Sequence, residues 1–289
     1  LKRILSDSLS FGKTIGQWVQ LLSIDVAAGA VLSSAMFCRL MHISPVPWGQ
    51  LLILGGTVLL IYTLDRLLDV QRMQERPVTV RHAFHQRFRC ALWVWIGVLL
   101  VLLAVLSIRI LPGRIWLFGL MVASLVGLYL LLVNRLSPQQ GAKWFHKEII
   151  ISVLYTAGVW GNVRVVAPGW KLSDELTGLA FGIIAFQNLI LFSAYEMTTD
   201  IAQTQRSIVL AWGQQTIRRI FNGSAALVVL VLTWTGLQAR EAIEAYVLIT
   251  LLGMEAILCL LCWFPSYFHK NERYRWIGDG IFLLPIWLV

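Results

Sequence analysis

The chain reads as an all-α, polytopic membrane bundle of about nine transmembrane helices, for three reasons. Of its 289 residues, 58% are hydrophobic and 13% charged, with a mean hydropathy of +0.73. Soluble domains carry about 25% charged residues, so this composition suits lipid as its solvent. The apolar residues gather into nine stretches, most of them near the ~20 residues that a helix needs to cross hydrocarbon. The cations alternate between the ends of those stretches, as topology signals do.

In order, the first stretch, 17–41, carries Asp25. The second, 46–68, ends on an acidic pair, Asp65 and Asp69. The third and fourth run over 90–110 and 114–134. The fifth, 147–168, holds Tyr155, Trp160 and Asn162, read as packing residues with a pocket wall as the alternative. The sixth, 174–197, contains Gln187 and Asn188 and ends on Glu196, four residues before Asp200. The seventh is 215–237, and the eighth, 243–264, has Glu255 near its middle. The ninth, 276–289, is short and begins near Asp279. Trp18, Trp48, Trp116 and Trp170 lie near stretch ends, where an interfacial belt accounts for them. Both ends of the chain read as trimmed, and no cleavable signal peptide is recognisable at the start.

A net charge of +9 would suggest nucleic acid as the partner of a soluble protein; in this chain it reports orientation instead. Of the 24 lysines and arginines, all but Arg39, Arg109, Arg114, Arg164, Lys171 and Arg240 fall in the amino-terminal tail or after an even-numbered stretch. The positive-inside rule puts that tail and those loops in the cytoplasm. The expectation is one transmembrane domain over 1–289 in a bacterial cytoplasmic membrane, surrounded by lipid and without a nucleic-acid partner. Its cytoplasmic motif loops span about 65–89 and 196–214. The run from Arg81 to Arg89 is basic and aromatic, suited to anionic lipid or to closing over a head group. The four cysteines give no disulfide framework, and Cys259 and Cys262 read as packing, with redox or metal chemistry as the alternative.

The two acidic pairs carry the functional signal. Residues at i and i+4 share one helix face, roughly 6 Å apart along the axis. Acids at or just beneath membrane depth are costly to place and mark sites by default. Two pairs facing one another would hold divalent cations and, through them, a phosphate-rich ligand. The competing reading is interfacial ion pairing with Arg66 and Arg72, which contributes little. Asp25, Asn188 and Glu255 are further polar residues within the stretches, suited to hydrogen bonds between helices or to lining a cavity.

This arrangement resembles the UbiA superfamily of intramembrane prenyltransferases. Ile61 to Asp69 reads I-Y-T-L-D-R-L-L-D, where that family usually has N-x-x-x-D-x-x-x-D. Glu196 to Asp200 stands for the second motif, and Arg206-Ser207 with Leu210-Ala-Trp-Gly213 resembles its continuation. Asn134-Arg135 and Lys147-Glu148 resemble positions flanking the fourth and fifth helices. Ile61 replaces the family's Asn, Glu196 its Asp, and Thr199-Asp200-Ile201 its frequent Gly-Asp-Arg, which makes a divergent branch. The resemblance implies Mg²⁺ held by the catalytic carboxylates Asp65, Asp69, Glu196 and Asp200. It implies an isoprenyl diphosphate met by Arg66, Arg72, Arg135, Lys147 and Arg206, and prenyl transfer to a lipophilic acceptor that Asp25, Asn188 and Glu255 would select. Cyclisation of the prenyl chain is a variant of that chemistry.

Two rivals stand beside it. One is a non-catalytic UbiA-like subunit that packs within a larger membrane complex or holds a lipid or quinone. The other is a transporter relaying ions through Asp25, Glu255 and Asp279, although no paired Gly/Pro interruptions mark broken helices.

Overall fold

A computed structural model describes residues 15–72, 80–135, 146–202 and 207–289, excluding the side chains at 15, 72, 80–82 and 134–135. No strand occurs among the described residues. A short α1 (Ile15–Leu21) leads into α2 (Ile24–Leu40). Ser23 between them is left-handed, with φ 57°, so the first stretch breaks there. α3 (Trp48–Arg72), the short α4 (Val80–Arg87), α5 (Arg89–Ile110) and α6 (Gly113–Arg135) follow. α7 (Lys147–Thr156) runs through a π turn (Ala157–Gly161) into α8 (Asn162–Arg164). Next come α9 (Leu172–Tyr195), α10 (Met197–Ala202), α11 (Ile208–Trp212), α12 (Gln214–Gln238) and α13 (Ala242–Trp263). The chain ends with α14 (Pro265–His269), a 3₁₀ turn (Lys270–Glu272), α15 (Arg273–Gly280) and a 3₁₀ segment (Ile281–Leu288).

Among the described residues, six helices are long and apolar enough to cross a membrane: α3, α5, α6, α9, α12 and α13. The structure is therefore that of an all-helical membrane protein. The first, fifth and ninth stretches are helical too, but each is interrupted, by Ser23, by the π turn and by the 3₁₀ segment around Pro285. Hydrocarbon tolerates such breaks only where protein groups satisfy the freed backbone. At the π turn they do so. Ser34 Oγ donates to the Val159 carbonyl at 3.0 Å, and Gln50 Nε2 donates to the Asn162 carbonyl at 3.2 Å and to its Oδ1 at 3.0 Å.

α2 and α9 form the centre. α9 packs against α7, α12, α13 and α15, and α2 against α3, the π turn and the final 3₁₀ segment. Small residues permit the close approach: a Cβ on Gly29 would sit 2.7 Å from Phe282 Cβ. Phe181 stands between Phe37, at 5.3 Å between centroids, and Phe282, at 5.8 Å, so rings from three elements interlock. α5 and α6 lie outermost. Val94, Val98, Val101, Leu117 and Leu128 are exposed there, as lipid-facing or partner-facing surface requires.

Candidate functional site

α3 carries Asp65 and Asp69 into its last two turns, and α10 carries Asp200 just past the end of α9. Lys147, the first residue of α7, lies in the electrostatic field of Glu148, Asp69, Asp200 and Asp65. One ammonium thus senses carboxylates from both acidic motifs. Tyr129 on α6 lies in the field of Asp65, Asp69 and Glu148, which draws a further helix to the same place.

Burial pushes the Asp200 carboxyl above its usual range, against the pull of Lys147 and the adjoining Ser207. Glu148 is buried as well. Its Oε1 accepts from Ser193 Oγ at 3.1 Å and from the Ile208 amide at 3.0 Å, tying α7 to α9 and α11. Its Oε2 has no hydrogen-bond partner among the described residues. Sequence reading missed Glu148 as a site residue, because its burial depends on contacts from α9 and α11.

Glu196, at the end of α9, pairs with α15. Its Oε1 lies 2.7 Å from Arg275 Nη2, with the Tyr274 hydroxyl at 3.5 Å. Tyr274 stacks on Tyr195 at 4.3 Å between centroids and 3° between planes, and Tyr195 Oη donates to the Leu261 carbonyl at 2.7 Å. The aromatic stack fixes α15 against the end of α9 and so delivers Arg275 to Glu196. Arg275 also lies in the field of Asp200. In the sequence it registers only as one more topological charge.

Of the expected diphosphate cations, two have described side chains. Lys147 stands among the acids. Arg66 Nη1 donates to the carbonyls of Leu21 at 3.1 Å and Gln20 at 3.4 Å, closing the end of α1. The side chains of Arg72 and Arg135, and Arg206 altogether, lie outside the described residues.

The residues expected to choose an acceptor occupy different settings. Asp25 is buried and accepts from the Val26 amide at 3.0 Å. Tyr62, one turn before Asp65 on α3, lies in the mixed field of Asp279, Arg66, Asp65 and Asp25. Asn188 Oδ1 lies against Gly278, where a Cβ would be 2.5 Å away. Glu255 accepts from Gln187 Nε2 at 3.2 Å and from Cys259 Sγ at 3.7 Å, and Gln187 also reaches Ser224 Oγ at 3.0 Å. These bonds link α9, α12 and α13 as interhelical hydrogen bonding does. All four cysteines are free thiols.

Among the described residues, no group of three or more His, Cys, Asp or Glu is drawn together tightly enough to enclose a metal ion by itself. A Mg²⁺ ion bound with substrate does not require such a cage, since one or two carboxylates plus phosphate oxygens suffice. The hard oxygen donors of Asp65, Asp69 and Asp200, with the unpartnered Glu148 Oε2 nearby, fit that chemistry. The chain matches no family model, and neither the curated proteins nor the solved structures give a match.

Proposed function

We propose that this protein is a UbiA-like intramembrane prenyltransferase, binding an isoprenyl diphosphate where the ends of α3 and α10 meet Lys147. The observation that supports the reading is that Lys147 lies in the electrostatic field of Asp65, Asp69 and Asp200, acids of both motifs. Asp65, Asp69 and Asp200 would hold Mg²⁺, with Glu196 the fourth carboxylate of the motif pattern. Bound Mg²⁺ would neutralise the diphosphate as the allylic C–O bond breaks. Lys147 would meet phosphate oxygens directly and hold the leaving group in place. Apolar helix faces beside the acids would take the prenyl tail, exclude water from the allylic cation and admit a lipophilic acceptor. Nine crossings in a bacterial cytoplasmic membrane, with the amino terminus and both motifs inside, complete the reading.

A second reading, a non-catalytic subunit of a larger membrane complex, is favoured by one observation. Glu196 is engaged by Arg275 within the fold, as a motif residue kept for packing would be. Isothermal titration with a long-chain isoprenyl diphosphate separates the two. The enzyme reading expects binding in Mg²⁺ and none in chelator, lost in Asp65→Ala and in Asp200→Ala. No binding under either condition, with a partner protein co-purifying in stoichiometric amount, supports the subunit.

A further inference from the structure

A cleft of ≈ 250 Å³ opens between the end of α3, the end of α4 and the start of α5, lined by Leu67, Val70, Gln71, Gln86, Arg89 and Trp93. It is separate from the acidic site. Leu67, Val70 and Gln71 follow i, i+3, i+4 and share one face of α3. At about 100° per residue, Asp65 and Asp69 point roughly 160° away from that face.

The lining is layered. One membrane-length span closes at Gln71 and the next opens at Arg89, so the polar groups sit at a shared membrane boundary. Leu67 and Trp93 lie one turn deeper, and Leu67 is buried while Trp93 is 39% exposed. Among the described residues, no acidic side chain lines the cleft. Arg87, two residues from Arg89, adds positive charge nearby and rests 5.8 Å from the Phe88 ring centroid. Drug-sized ligands fill pockets of about 300–1,000 Å³, so this volume suits a head group rather than a whole amphiphile.

We propose that this cleft binds the phosphodiester head group of an anionic membrane lipid. Arg89 contacts the phosphate, Gln71 and Gln86 take ester and glycerol oxygens, and Leu67, Val70 and Trp93 receive the first acyl carbons. Such a lipid would fill the seam between α3 and α5 on the side away from the acids.

Native mass spectrometry of the full chain in detergent, titrated with phosphatidylglycerol or phosphatidylcholine, tests this. Wild type is expected to retain one phosphatidylglycerol in preference to phosphatidylcholine. Arg89→Gln should weaken that retention about fivefold, the effect of one cation near an anionic head group. Gln71→Ala should weaken it less, and Arg109→Gln, at the opposite end of α5, should leave it unchanged. Equal retention of the two lipids, or equal loss in Arg89→Gln and Arg109→Gln, overturns the proposal. Displacement of the lipid by millimolar glycerol phosphate alone also overturns it, because the apolar wall would then contribute nothing.

Discussion

Arg275 Nη2 lies 2.7 Å from Glu196 Oε1, although 78 residues of intervening chain separate the two. The stack of Tyr274 on Tyr195, each the chain neighbour of one partner, holds them in place. Both acids of the second motif thereby feel α15: Glu196 pairs with Arg275, and Asp200 senses Arg275 as well as Lys147 on α7. Both partners are largely shielded, with side-chain exposures of 14% and 25%.

Removing that guanidinium has a predictable cost. Arg275→Ala should destabilise the protein by about 1.5–3 kcal/mol, the range for a charge-assisted bond. Arg275→Lys should cost less, since it keeps the charge and loses the planar fork. Thermal unfolding in detergent measures both, and an Arg275→Ala protein as stable as wild type would remove the α9–α15 clasp from the account.

Two glycines make a sign contrast. A Cβ on Gly178 would enter the Trp160 indole, whereas one on Gly253 would meet nothing within 4 Å. Gly178→Ala should therefore lose about 1–3 kcal/mol through overpacking between α9 and the π turn. Gly253→Ala should gain about 0.5–1 kcal/mol, because helical glycine gives up backbone entropy without a packing return. Equal effects of the two substitutions would contradict the packing described for α9.

Much of this architecture is legible in the sequence, for a physical reason. The edges of α5, α12 and α13 coincide with the ends of apolar runs, because membrane solvent forces charge to the termini. The breaks are harder to read. Leu22-Ser23-Ile24 sits within an apolar run, so the left-handed Ser23 leaves no trace in hydropathy. The π turn depends on Ser34 and Gln50, donors from two other helices. The site divides in the same way. Asp65 and Asp69 are visible from their spacing alone, and Lys147 only through a resemblance. Glu148 and Arg275 gain meaning only once distant helices bury one and deliver the other.

Acidity should expose Asp200. Its carboxyl is pushed above the ordinary range, so its neutral form suits the fold and its ionised form is penalised. The stability contributed by the neutral form is full below the ordinary value of about 4 and fades as pH rises through the raised one. Asp200→Asn cannot ionise, so its stability relative to wild type should increase with pH across that window. Unfolding both proteins over the acid-to-neutral range checks this, and a constant or shrinking difference would contradict the burial of Asp200.

The most direct test of convergence is a double-mutant cycle on Mn²⁺ affinity, read by electron paramagnetic resonance in the presence of an isoprenyl diphosphate. Asp69→Asn alters the end of α3, Asp200→Asn alters α10, and the combined variant reports whether they share an ion. A shared site predicts that each single change weakens Mn²⁺ binding and that the pair is non-additive by at least about 0.5 kcal/mol. Additive losses, or Mn²⁺ binding unaffected by either change, would mean that the two motifs do not act on a common ligand.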